Sequence, residues 1–305
     1  MIYLAIAILC GALFSALFKI CQRQGISTLW AILFNYITAT LVSWVPLFVG
    51  QATGGAAVVN PFAHSWVWLA FVQGILFMAG FSVMSGCTRY CGVALTNVAA
   101  RSSLIVPVVL SWLLLSQPAP AWLPIVLVLI ALAFTALGGK QSSDTNGGEP
   151  PHGLSRPWVI MLLVLCFYGI SDFSLKVVQD SVTRSCGTDE ALLQSSLSAL
   201  TGTIFLTATV VSLIVAVCRP KAKRPVYSWK GALIGVVLGL ANLCCTACML
   251  RALTQLSTGI FYPLYNIGVV IVGTLAGILL FRERLRPLQC IGLALAIFAI
   301  YLFFR

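Results

Sequence analysis

Ten apolar runs separated by polar breaks constrain this chain more than any other feature. They lie near residues 2–21, 28–49, 66–88, 92–116, 121–139, 157–178, 191–217, 229–250, 257–281 and 287–304. A helix needs about 20 apolar residues to cross a hydrocarbon core of about 30 Å, and the runs have that length. A membrane β-barrel would show shorter stretches of alternating polarity. The expected fold class is therefore an all-α polytopic membrane protein with ten transmembrane helices. With 60% hydrophobic and 8% charged residues and a mean hydropathy of +1.02, no soluble class accommodates the chain. The first run opens at Ile2 with no lysine or arginine before it, so it reads as a span and not as a signal peptide.

The runs fall into two sets of five. Between them, Lys140 to Arg156 is hydrophilic and rich in Ser, Gly and Pro, and reads as a flexible linker. The expected organisation is a first five-helix repeat over 1–139, a linker over 140–156 and a second five-helix repeat over 157–305. Internal matches support a duplication. Lys19 corresponds to Lys176, Asn35 to Gln194, and Ala94-Leu-Thr-Asn97 to Ala252-Leu-Thr-Gln255, at nearly constant offsets. An odd number of spans per unit makes the second enter the membrane in the opposite sense, which is the inverted-repeat logic of secondary transporters.

Other classes lack their chemistry. No phosphate loop, nucleotide fingerprint or catalytic triad is present, so neither an ATP-driven pump nor an enzyme is expected, and no cofactor is implied. The cysteine spacings Cys87 to Cys91 and Cys244-Cys245 to Cys248 have no histidine near them, and His64 and His152 fall in loops. They read as packing residues and not as a metal site. The formal charge of +11 sits mainly in short loops, where it sets orientation and meets anionic headgroups, and it does not imply nucleic-acid binding. Lys19, Arg23, Arg89, Lys140, Arg156, Arg219, Lys221, Lys223, Arg224, Lys230, Arg282, Arg284 and Arg286 follow odd-numbered runs. Only Lys176, Arg184, Arg251 and Arg305 follow even-numbered ones, a bias that places both termini outside.

The second half carries Ala252-Leu-Thr-Gln-Leu-Ser-Thr-Gly-Ile-Phe-Tyr-Pro263 and Leu280-Phe-Arg-Glu283-Arg-Leu-Arg-Pro-Leu-Gln289-Cys-Ile-Gly292. It resembles the EamA branch of the drug/metabolite transporter superfamily, in which an apolar helix ends in a glutamate beside a basic residue and a glycine-containing helix follows. The first half is similar through Asn97-Val-Ala-Ala-Arg101-Ser-Ser-Leu-Ile-Val-Pro107, with Gln117 where the glutamate is usual. The resemblance implies a ten-helix transporter of small metabolites in the cytoplasmic (inner) membrane, with a central substrate cavity and cytoplasmic termini. The implied partners are a small-molecule substrate, with or without a coupling proton or ion, and the lipid bilayer. A scaffold that organises lipids or partners without moving solute is the alternative.

Ionisable groups in apolar helices are costly and mark candidate sites. Lys19 either snorkels to the interface or faces the pathway, where it would attract an anionic or carbonyl-bearing substrate. Lys176 follows Asp172 by four residues and is expected to pair with it. Asp172, the one carboxylate well inside a run, is a candidate to carry a coupling proton. Arg101 either binds substrate or pairs with Asp172. Asn35 and Tyr36, Gln194, and Tyr262, Tyr265 and Asn266 around Pro263 offer hydrogen-bonding groups either to neighbouring helices or to a cavity. Pro263 is expected to free a backbone carbonyl, as broken transporter helices do near binding sites. Gly231, Gly235 and Gly239, and likewise Gly273 and Gly277, recur every fourth residue. They predict close helix packing within the monomer; a homodimer is compatible with them but not required. Glu283 reads as an interfacial ion pair with its neighbouring arginines.

Overall fold

The computed structural model describes residues 1–23, 26, 28–53, 59–91, 93–137, 157–218, 228–281 and 286–304. Among them are eleven α-helices, one 3-10 turn at Pro61–Ala63 and no strand. The helices are α1 (Ile2–Arg23), α2 (Thr28–Thr53), α3 (Val67–Cys91), α4 (Val93–Ser102), α5 (Ile105–Leu114), α6 (Trp122–Leu137), α7 (Pro157–Cys186), α8 (Glu190–Cys218), α9 (Trp229–Gln255), α10 (Thr258–Phe281) and α11 (Pro287–Phe303). Every apolar run holds helix. Four helical segments in the described residues are long and apolar enough to cross a membrane: Val159–Cys186, Glu190–Cys218, Trp229–Gln255 and Thr258–Leu279. The linker over 140–156 and Glu283 lie outside the described residues.

Helix boundaries follow local chemistry. Proline opens α7 and α11, where a missing N–H costs nothing. After α7 the chain turns through Gly187 at φ +60°, and Asp189 caps α8 by accepting from the Leu192 amide at 2.9 Å. The run 92–116 forms two helices, not one, because Pro107 has no N–H for the carbonyl four residues back at Ser103. The Val106 amide takes that carbonyl instead at 2.9 Å, and the chain kinks through Ser103 and Leu104. By contrast α10 runs unbroken through Pro263, so the helix break expected there lies at Pro107.

The chain divides into two compact units, Met1–Met78 with Ser174–Gln255, and Ala79–Phe173 with Leu256–Arg305. Each draws on residues from both sides of the linker, so the units divide the helices differently from the repeats expected from sequence.

In the first unit α9 packs against α1 and α2, and α2 against α8, around buried Tyr36, Leu200, Ile204, Phe205, Leu238 and Leu250. The glycine stripe faces α2. A Cβ on Gly235 would stand 2.7 Å from the Ala31 carbonyl oxygen, and one on Gly239 2.5 Å from that of Asn35. Glycine lets these backbones touch, as the stripe predicted for the monomer. In the second stripe Gly273 differs, since a Cβ there would meet nothing within 4 Å. In the second unit α6 packs on α11 and α4, and α10 on α5, with Leu104, Ile125, Phe261 and Tyr262 fully buried.

Candidate functional site

In the second unit a chain of hydrogen bonds runs between helices in otherwise apolar surroundings. Its starting point is the end of α5. There the Gln117 side chain accepts from the Thr258 amide at 3.2 Å, capping the first turn of α10. An N-cap needs only a side-chain oxygen, so a carboxamide serves here. Thr258, Tyr262 and Asn266 follow one another at four-residue spacing and share one helix face. Fixing the start of α10 therefore fixes the depth at which Tyr262 and Asn266 stand.

On that face the Tyr262 hydroxyl donates to the backbone carbonyl of Asp172 at 2.6 Å, tying α10 to α7. The Asn266 amide donates to the Tyr262 carbonyl at 3.0 Å, and the Asn266 oxygen accepts from Arg101 Nη1 at 3.2 Å. Arg101 is held in the last turn of α4, where a cation also meets the negative end of the helix dipole. Tyr168, one turn before Asp172, donates to the Gly80 carbonyl of α3 at 3.0 Å. Between them Gly169 lies so close to Val106 that a side chain there would collide with it. Tyr265 stacks on Phe261 at 5.8 Å.

The expected pair between Arg101 and Asp172 is replaced by the contact with Asn266. Among the described residues no carboxylate oxygen lies within 4 Å of the guanidinium, although its charge acts on Asp172. Asn266 presents an oxygen directly to Arg101 and takes the place a carboxylate would fill.

Lys176 departs from expectation in another way. It pairs with Asp180, one turn after it, and not with Asp172, one turn before. Its Nζ lies 2.8 Å from Asp180 Oδ1, 2.7 Å from Gln179 Oε1 and 3.0 Å from the Leu253 carbonyl oxygen of α9. Three acceptors match the three donors of the Lys176 amine head, in a residue only 3% exposed. Gln179 passes the network on to Thr183 at 2.8 Å. The extension of α7 to Cys186 brings Asp180 within the helix, and the apolar pattern ending near residue 178 did not include it.

The remaining candidates are distributed as follows. Asn35 is buried, accepts from Asn242 Nδ2 of α9 at 3.3 Å and leaves its own Nδ2 without a hydrogen bond. Tyr36 is fully buried with its ring 6.3 Å from Phe205. Gln194 is exposed, so its matching to Asn35 by sequence offset does not extend to environment. The side chain of Lys19 lies outside the described residues. Asn35, Tyr36 and Lys176 belong to the first unit, and Arg101, Asp172, Tyr262, Tyr265 and Asn266 to the second. Sequence reading missed Gln179, Asp180, Tyr168, Asn242 and the capping role of Gln117. Tyr168 and Asn242 carried the signal of a polar group inside an apolar run, and Gln117 that of the polar residue standing in the glutamate position.

The helices α8 to α11, with the face that carries Tyr262 and Asn266, lie in the segment that a family of known proteins matches. Residues 188–305 match the EamA-like transporter family. The motifs from Ala252 to Gly292 fall inside the EamA-like segment, as do Asn242, Tyr262, Tyr265 and Asn266, whereas Arg101, Asp172 and Lys176 precede it. Over nearly its whole length the chain is also similar to an uncharacterised protein of Haemophilus influenzae (strain ATCC 51907 / DSM 11121 / KW20 / Rd), at 28% identity over 98% of this chain and 96% of the relative. A protein crystal structure shares the fold with a TM-score of 0.66 at 15% identity, covering 98% of this chain and 94% of its own.

Proposed function

We propose that the protein is a secondary active transporter that moves a small polar metabolite across the cytoplasmic membrane by alternating access of two inverted five-helix repeats. The observation that carries the proposal is the Arg101–Asn266–Tyr262–Asp172 chain beside a broken helix, in a protein with an EamA-like C-terminal segment. Polar groups and irregular backbone inside an apolar bundle are stable where they line a cavity or a pathway. Helix directions support ten alternating spans. In the first unit α1 runs antiparallel to α9, with Tyr3 beside Arg251 and Ala7 beside Cys245, as spans of opposite parity should. The second helix runs parallel to α9, with Ala31 beside Gly235 and Asn35 beside Gly239.

In this reading Asp172 carries the coupling proton and Arg101 meets the substrate, with Tyr262 and Asn266 setting their positions. Lys19, Asn35, Tyr36, Lys176, Gln194 and Tyr265 are further pathway candidates. The test is a metabolite library screened by thermal shift of the purified protein, since a ligand that binds the folded state raises its melting temperature. Flux of each hit into proteoliposomes follows. Asp172→Asn should abolish proton-driven flux while the protein stays folded and inserted. Flux that survives Lys19→Ala, Arg101→Ala and Asp172→Asn alike would sink the site assignment, and a protein that responds to no metabolite would favour a scaffold.

A further inference from the structure

The guanidinium of Arg101 has five N–H donors in a planar fork, and among the described residues one of them is engaged, by Asn266 Oδ1 at 3.2 Å. The side chain is partly buried. Among the described residues, its charge acts on Asp172 and Tyr168 on α7, and no hydrogen bond joins it to either. Tyr262 on α10 spends its hydroxyl proton on the Asp172 carbonyl, and Tyr168 spends its own on Gly80. Among the described residues the cluster is thus satisfied internally except at its two charged ends, the open side of the Arg101 fork and the Asp172 carboxylate.

Asn266 is fixed in turn. It is 4% exposed, and its amide nitrogen is anchored on the Tyr262 carbonyl, so its oxygen holds one arm of the guanidinium in a set orientation. Such a group, permanently ionised and unable to deprotonate, calls for a planar anion in bidentate contact.

We propose that Arg101 binds an anionic group of the transported molecule, a carboxylate or a phosphate, and that Asn266 is the positioning residue that aims it. The proposal rests on the transport reading of the same cluster. An uncharged cargo would leave the fork unmatched during passage, which the low-dielectric surroundings penalise. Lysine would not substitute, because a point charge lacks the two parallel donors.

The experiment is isothermal titration of the full chain in phosphatidylcholine nanodiscs with three probes: succinate, inorganic phosphate, and succinamide as the uncharged counterpart of succinate. One of the two anions should bind at least about tenfold more tightly than succinamide, the effect of losing one charge-assisted contact. Arg101→Gln should abolish that binding and Arg101→Lys should weaken it by about tenfold. Asn266→Ala should weaken it by a similar factor, because the fork loses its orientation. The deciding variant is Asn266→Asp, which keeps the volume and the acceptor but sets a carboxylate against the guanidinium. It should abolish anion binding with the far-UV circular dichroism and elution profile unchanged, and it tests the site even if Arg101→Gln fails to fold.

Succinamide binding as tightly as succinate, no binding of either anion, or anion binding unaltered in Asn266→Asp would each overturn the assignment. So would a response confined to nanodiscs that contain phosphatidylglycerol, which would make the group a lipid headgroup site. Proteoliposome flux separates the two levels: carriage of a neutral cargo sinks the anion assignment and leaves transport standing, whereas anion binding without flux of that anion leaves the site and sinks transport.

Discussion

The ammonium of Lys176 on α7 and the carbonyl oxygen of Leu253 on α9 stand 3.0 Å apart. Leu253 is in the last turn of its helix, where carbonyls have no intrahelical partner, so the lysine fills an orphan acceptor while Asp180 balances its charge and Gln179 accepts a further hydrogen bond. Replacing Lys176 with methionine keeps the length of the stem but leaves Leu253 and Asp180 without it. The expected loss is about 2 kcal/mol, below the full cost of an uncompensated buried ion because Asp180 is 21% exposed. In Lys176→Met with Asp180→Asn part of that loss should return. A thermal melt of the two variants checks this, and a double variant less stable than the single would contradict the pairing.

Gln117 and Thr258 give a second test. Gln117→Leu removes the cap of α10 and should cost about 1 kcal/mol. Gln117→Glu should be neutral or stabilising, because a carboxylate also accepts and sits at the positive end of the helix dipole. If both variants melt alike, the cap is not what holds the start of α10.

Gly239 and Gly273, one from each glycine stripe, should respond in opposite ways. At Gly239 a methyl would press on the Asn35 carbonyl oxygen and Thr38 Cβ, so Gly239→Ala should destabilise by about 1–3 kcal/mol. Gly273→Ala meets open space and should stabilise by up to about 1 kcal/mol through helix propensity. Paired melts decide the matter; equal effects would mean that neither the contact at Gly239 nor the space at Gly273 is as described.

Pro107 should matter to the site more than to stability. Pro107→Ala restores an N–H to the Ser103 carbonyl and lets α4 and α5 join, which swings Arg101 relative to Asn266. Ligand affinity should fall by about tenfold or more, since angstrom-scale misplacement of a positioned group costs that much. Melting temperature should hold or rise. Unchanged affinity would show that the break has no part in aiming Arg101.

The fold was largely legible because its signal is additive along the chain. Each run contributes about 20 apolar residues, and every one of the ten holds helix in the structure. The site was legible only as a set of names. Arg101, Asp172, Tyr262 and Asn266 stand out because polar groups in apolar helices need partners, yet i to i+4 spacing could not tell Asp172 from Asp180 as the partner of Lys176. Nor could it reveal that Arg101 leans on an asparagine. Pro107 and Pro263 look alike in sequence, but one ends at a helix break and the other lies within an intact helix.

Sequence by itself determined that this chain is helical and apolar enough for a bilayer, that its C-terminal motifs are EamA-like, and which polar residues would need an explanation. Those properties depend on local composition and on spacing along one helix. Tertiary structure alone decided the partners: Asn266 for Arg101, Asp180 and Leu253 for Lys176, Thr258 for Gln117, Asn242 for Asn35. A hydrogen bond is made over about 3 Å and in a fixed direction, so it depends on which helices touch and at what register, and no single stretch of sequence carries that.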